Sequence, residues 1–272
     1  MITIIFAKPG MGKTSLMTHL LNMQAFNKER NLAMQYELLQ KINAGFRKIN
    51  TIPIHCVSAN YTCTFKRFRY TPRHNRVINP YRLGFANKFV KIHFNLPYEV
   101  IGITEAQKYL NSRMSLYFPD WQSRWYESHR HDNLDIYLDT QRPMLIDINI
   151  RELSSFIEVV NLTIHRDKYG TIKGMTWKVR LIEDSQAFDK YMQSGKKDKD
   201  CYTETEITAE YNVFECYDSQ SCKPKFYAGH FDEDIDYREA IPFEENIESY
   251  VKYLENNDDE LPQNFYQKRS VS

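Results

Sequence analysis

The chain has no run of 18 or more apolar residues, so no transmembrane helix or secretory leader can be drawn in it. Contact with a membrane is therefore expected only through a partner. Paired cysteines are missing as well. The five cysteines, at positions 56, 63, 201, 216 and 222, are odd in number and contain no CxxC. That argues against a disulfide framework and for a reducing, cytosolic setting. Cys216 and Cys222 lie close together but lack the second matched pair of a structural metal site. A third absence is local: from Leu38 to Tyr98 there is no acidic residue.

That gap is hidden by the average, since 36 Lys plus Arg balance 35 Asp plus Glu over 272 residues. The acid-free stretch carries Lys41, Arg47, Lys48, Lys66, Arg67, Arg69, Arg73, Arg76, Arg82, Lys88 and Lys91. The far end carries Asp232, Glu233, Asp234 and Asp236, then Asp258, Asp259 and Glu260. A basic middle and an acidic end imply either different partners or contact with each other. With 42% hydrophobic residues, the length supports a substantial core.

At the start, the apolar run Ile2 to Phe6 is followed by Ala7-Lys8-Pro9-Gly10-Met11-Gly12-Lys13-Thr14-Ser15 and then by an amphipathic segment. Strand, glycine-bearing loop and helix in this order form a phosphate-binding loop of the Walker A type. In the loop Pro9 to Ser15, the backbone N–H groups from Gly10 onward cradle phosphates only where side chains stay out of the way, which is the use of Gly10 and Gly12. Lys13 reaches the terminal phosphates, Thr14 offers its hydroxyl to Mg²⁺, and the helix presents its positive end to the anion. Ala7 stands where the motif has its first glycine. An ordinary glycine-rich turn has the same letters.

Beyond the loop, Leu16, Leu20 and Met23 recur with helical period, and the helix is expected to end before Phe26. A second helix is expected over about 27–48. Strands are expected at 52–57, in the alternation of Phe89, Val90, Ile92 and Phe94, at Val100 to Ile103 and at Leu134 to Leu138. Strands alternating with helices imply a mostly parallel sheet, which binds ligands outside the carboxyl ends of its strands. Thr104-Glu105 and Asp139-Thr140-Gln141 end two of these strands. Glu105 is placed to act as general base on an attacking water. Thr104 stands where P-loop enzymes carry the aspartate that steadies Mg²⁺, and a neutral hydroxyl is a weaker hold on a hard dication. Slow hydrolysis, or an acid from elsewhere, is the expected consequence. Thr104 as a simple helix cap fits too. Gln141 is placed like a polar sensor of γ-phosphate and water.

Three further segments stand out. Phe65-Lys66-Arg67-Phe68-Arg69-Tyr70, continuing to Arg73 and Arg76, interleaves rings and cations. That suits single-stranded DNA, and equally an antiparallel strand with an aromatic inner face. After Leu153, alternation on both sides of Asp167-Lys168-Tyr169-Gly170 predicts a β-hairpin. The polar run within 193–205 reads as a mobile loop, and the acidic end as a largely flexible tail with a short helix near Tyr250 to Leu254. His129, His131 and His165 could be imagined around a metal, but no carboxylate or cysteine stands at ligand spacing.

The order AKPGMGKTS, ITEAQ, FPDW and HRHDNLDIYLDTQRPMLIDINIREL resembles the zonula occludens toxin (Zot) family, which includes filamentous-phage assembly ATPases. The resemblance covers about 1–219 and closes on Phe214 to Ser219. It implies an α/β P-loop NTPase of the FtsK and HerA type, using ATP and Mg²⁺. It also implies a homo-oligomeric ring, single-stranded DNA as cargo and an envelope or phage-coat export protein as partner. Gly10, Gly12, Lys13 and Thr14 match its nucleotide loop, Glu105 its Walker B glutamate and Gln141 its sensor, while Thr104 departs from its aspartate. A ring completes each site with a neighbour's arginine. Arg130, Arg142 and Arg151 are the candidates, and a plain salt bridge is the alternative for each. The expected division is an ATPase domain over 1–230 and an acidic tail over 231–272. A nucleotide-gated scaffold with little hydrolysis and a nucleotide kinase remain the alternative functions.

Overall fold

The computed structural model describes residues 1–43, 51–53, 55–66, 72–83, 97–113, 120–218, 235–236 and 240–242. The strands are β1 (Ile2–Phe6), β2 (Thr51–Pro53), β3 (Val57–Ala59), β4 (Thr64–Phe65), β5 (Arg73–His74), β6 (Arg76–Val77) and β7 (Val100–Ile103). They continue as β8 (Asp135–Thr140), β9 (Ser154–Arg166), β10 (Ile172–Ile182), β11 (Thr203–Ala209), β12 (Ile235–Asp236) and β13 (Ala240–Pro242). The helices are α1 (Lys13–Ala25), α2 (Lys28–Asn43), α3 (Asp120–Ser128), α4 (Ile148–Glu152) and α5 (Ser185–Gln193).

One sheet dominates, in the order β11-β10-β9-β1-β8-β7-β3-β6-β12. Its middle, from β9 through β1, β8, β7 and β3 to β6, is parallel, and the outer pairings are antiparallel. All five residues of β1 are buried, as befits a strand covered on both faces. Ile2, Ile4 and Phe6 face one apolar layer with Phe156 and Phe188, whereas Ile5 faces the other with Leu16, Leu21, Val57 and Trp177. In that second layer α1 lies close against β7. A Cβ at Gly102 would stand 2.6 Å from Leu21 Cδ1, so glycine is what admits the helix. Arg30 of α2 ties this layer to the start of β8, with Nη1 2.6 Å from Asp135 Oδ2 and Nε donating to the Tyr98 carbonyl at 2.7 Å.

Most expected elements stand where the periodicity puts them. The exceptions have local causes. The strand expected at 52–57 is two short strands: β2 pairs with β13, outside the main sheet, and only β3 joins the parallel array. The hairpin is present as β9 and β10, with Asp167 accepting from the Tyr169 and Thr171 N–H groups in the turn. The polar run after α5 is not a free loop. Lys196 is bonded to the buried Glu158, a short helical turn covers Lys199–Cys201, and β11 then adds to β10. At the acidic end, β12 pairs with β6 and β13 with β2. The alternation at 89–94 and the helix near Tyr250 lie outside the described residues.

Candidate nucleotide site

The loop between β1 and α1 is built around two glycines with left-handed backbone, Gly10 at φ 80° and Gly12 at φ 77°. Gly12 is constrained twice. Besides its dihedral, an added Cβ would lie 2.8 Å from Leu162 Cδ2, 2.9 Å from Ser15 Oγ and 3.0 Å from Trp177 Nε1. The β9–β10 hairpin thus forms the floor of the loop. Lys13 opens α1 and is 7% exposed, and Ser15 Oγ closes back on the Gly12 carbonyl at 2.9 Å. Pro9, Gly10, Met11 and Thr14 complete the stretch, which caps the carboxyl end of β1 as the sequence order requires.

Thr14 points to the neighbouring strand ends. Its hydroxyl donates to Asp139 Oδ2 at 2.6 Å, and Thr104 Oγ1 donates to the same oxygen at 2.9 Å. The Glu105 backbone N–H donates to Asp139 Oδ1 at 3.0 Å. Asp139 is fully buried. Burial pushes its carboxyl above the ordinary carboxylate range, opposed by the hydrogen bonds from Thr14, the Glu105 N–H and Thr104 and by the Lys13 charge. The acid that Thr104 fails to supply on β7 is therefore present on β8. The Thr104 hydroxyl, expected at the metal, directs its hydrogen at this carboxylate as the Thr14 hydroxyl does. Hydroxyl and carboxylate oxygens in one cluster are the donor set that a hard divalent cation such as Mg²⁺ takes.

Glu105 and Gln141 come together as expected. Gln141 Nε2 lies 3.4 Å from Glu105 Oε1, and Gln107 Nε2 donates to Glu105 Oε2 at 2.7 Å. Glu105 also pairs with Lys108 at 3.7 Å. Its backbone is left-handed, at φ 53° and ψ 42°, which a residue with a Cβ adopts at a cost of about 1–3 kcal/mol. The strained turn brings the Glu105 N–H to Asp139 and the carboxylate to Gln141.

The arginines divide. Arg142 is exposed directly after Gln141, at the loop's own edge of the sheet. Arg130 precedes β8 and Arg151 precedes β9, so both lie at the amino-terminal edge, away from the loop. Arg130 is exposed, while Arg151 Nε donates to the Ile146 carbonyl at 3.1 Å. His129 is buried with Nδ1 2.5 Å from the Tyr126 carbonyl, and His165 bonds Thr176 on the hairpin at 2.8 Å. Among the described residues no three histidines, cysteines or carboxylates gather as metal ligands.

The described cations of the basic, aromatic segment do not share one surface. Arg73 is 3% exposed, donates to the Ala25 carbonyl and lies 4.6 Å from the Phe26 ring centroid. Arg76 is 4% exposed and pairs at 3.6 Å with the fully buried Glu99. Both are internal, which corrects their assignment to DNA. Lys66 is exposed, 3.7 Å from Glu215, at the mouth of a cavity of about 680 Å³ lined also by His19, Asn22, Phe26 and Tyr211. Arg67 and Arg69 lie outside the described residues. Sequence reasoning missed Asp139. The available signal was parity, because Asp139 shares a face of β8 with Tyr137, opposite Ile136 and Leu138, and so faces α1.

No family model and no curated protein matches the chain. Among solved structures it is similar to the N-terminal domain of zonular occludens toxin from Neisseria meningitidis, at 19% identity and a TM-score of 0.42, over 80% of this chain and 98% of that one. It is also similar to the genome packaging NTPase of Sulfolobus turreted icosahedral virus 2 in complex with ATP-gammaS, at 10% identity and a TM-score of 0.34, over 68% and 93% of the two chains. The DNA-packaging ATPase of Sulfolobus turreted icosahedral virus matches over the same shares at 10% identity, with a TM-score of 0.32. Likenesses at this level carry no functional weight, and the reading of the site rests on its own geometry.

Proposed function

We propose that this chain is a Mg²⁺-dependent ATP hydrolase, working as the motor that drives single-stranded DNA out during assembly of filamentous-phage-like particles. The observation that carries the hydrolase reading is the juxtaposition of the Lys13–Thr14 loop end with Asp139, Thr104, Glu105 and Gln141 at adjacent strand ends. A phosphate chain on the loop N–H groups places its terminal phosphate toward Lys13 and the strand ends. Glu105 then accepts the proton of the attacking water, and Gln141 orients carboxylate and water together. Bound Mg²⁺ supplies charge neutralisation at the phosphate oxygens.

The finer reading, export of DNA by a homo-oligomeric ring with an envelope or coat partner, is supported by the sequence resemblance to the Zot family. In such a ring Arg130 or Arg151, remote from its own loop, serves a neighbour's nucleotide. Asp139 removes the reason for a silent, nucleotide-gated scaffold, since the carboxylate absent at position 104 is replaced. Among described helices none is long and apolar enough to cross a membrane.

The test is ATP hydrolysis by purified protein with and without single-stranded DNA, beside Lys13→Ala. Turnover that rises with DNA and disappears in the variant supports the motor. ATP binding without turnover under either condition contradicts it.

A further inference from the structure

We infer that Asp139 is the carboxylate that holds the Mg²⁺ of the nucleotide, and that the acid of this site has moved by one strand, from β7 to β8, with Thr104 kept as its orienting donor. The inference rests on the nucleotide-hydrolase reading and deepens it.

Register explains how the move is possible. β7 and β8 are parallel neighbours in which Ile103 pairs with Leu138, so the next positions along the two strands are Thr104 and Asp139. Both face α1. Gly102, two residues before Thr104, meets Leu21 of that helix, and Tyr137, two residues before Asp139, packs in the same layer. A carboxylate at either position reaches the space beside Thr14. In this chain position 104 holds the hydroxyl and position 139 the acid.

The hydrogen-bond inventory supports a metal-directed carboxylate. An ionised carboxylate has about four lone-pair sites. Three of these are filled, two on Oδ2 by the Thr14 and Thr104 hydroxyls and one on Oδ1 by the Glu105 N–H. About one site on Oδ1 stays open. Each hydroxyl has a single hydrogen, and both are committed to Asp139, so the Thr14 oxygen keeps its own lone pairs for a cation. Asp139 thereby fixes the hydroxyl orientation that the Thr14 oxygen needs as a ligand, and Thr104 fixes Asp139. The three donors favour the charged form of this fully buried acid, against the burial that favours the neutral one. A purely structural acid at this depth needs these donors too, so the two roles must be separated by metal dependence.

The experiment titrates a fluorescent ATP analogue against wild-type chain, Asp139→Asn and the exchanged pair Thr104→Asp/Asp139→Thr, at rising free Mg²⁺ and in its absence. Melting temperature is followed in parallel. In Asp139→Asn the gain in analogue affinity on adding Mg²⁺ is expected to shrink at least about 10-fold, with affinity in the absence of metal little changed. In the exchanged pair the gain is expected to return. Asp139→Asn with the full wild-type gain overturns the inference alone. An exchanged pair that melts like wild type yet shows no gain also overturns it. If the wild-type chain gains no affinity from Mg²⁺, the hydrolase reading falls together with the inference.

Discussion

The hydroxyl of Thr14 donates a 2.6 Å hydrogen bond to Oδ2 of Asp139, joining the first turn of α1 to the end of β8 across 125 positions of the chain. Around this bond the residues of the proposed nucleotide site assemble. Lys13 precedes it, Thr104 adds a second donor, and the Glu105 N–H adds a third. The short loop after β1 meets these polar groups only because two distant strands end beside it.

Glu105→Gln removes the proposed base but keeps an amide able to face Gln141. Turnover is expected to fall about 100–10,000-fold. Nucleotide affinity, measured by fluorescence titration, is expected to remain near that of the wild type.

Gly12→Ala places a methyl against Leu162, Ser15 and Trp177 at a residue with φ 77°. The dihedral alone costs about 1–3 kcal/mol. A lower melting temperature and loss of ATP binding are expected together. Unchanged binding in a normally melting variant contradicts the hairpin's role as floor of the loop.

Arg76→Met removes a buried cation 3.6 Å from the fully buried Glu99. Urea unfolding is expected to show a loss of about 3–5 kcal/mol, as for other buried pairs broken on one side. An arginine serving DNA would instead leave stability untouched and weaken DNA binding.

These cases show which parts of the molecule are legible in its letters. β1, the glycine loop and the extent of α1 are read correctly because their signals are contiguous, a buried β-branched run and two glycines. The β9–β10 hairpin is read for the same reason, with its turn residues between two alternating runs. The face of α1 is not read correctly, since Met23 is exposed and Leu21 and Ala25 are buried with Leu16. Parity puts Asp139 on the α1 face of β8, but its place beside Thr104 depends on the Ile103–Leu138 register, which no local pattern encodes. Arg73 and Arg76 are misread as surface cations because what buries them lies elsewhere: the α1 carboxyl end with Phe26 for one, Glu99 for the other. β11 is missed because this edge strand exposes most of its polar residues and carries only Ile207 and Ala209 as apolar members of its inner face.

His19 gives a pH signature. It is buried, stacked 5.6 Å from the Trp177 ring and bonded through Nδ1 to Tyr211 OH at 2.9 Å. Burial lowers its pKa from 6.5 to about 4. The folded state therefore favours the neutral ring. Its contribution is whole above pH 6.5 and is lost as pH falls from there to about 4, on the order of 3 kcal/mol. Urea midpoints measured across that window are expected to fall less steeply in His19→Gln than in the wild type.

The most direct measurement is an isothermal titration of the whole chain with ATP in Mg²⁺, run beside Lys13→Ala. One nucleotide per chain, with affinity lost in the variant, is the predicted result. A chain that takes up no ATP, or a variant that binds it as tightly as the wild type, contradicts a nucleotide site at the end of β1.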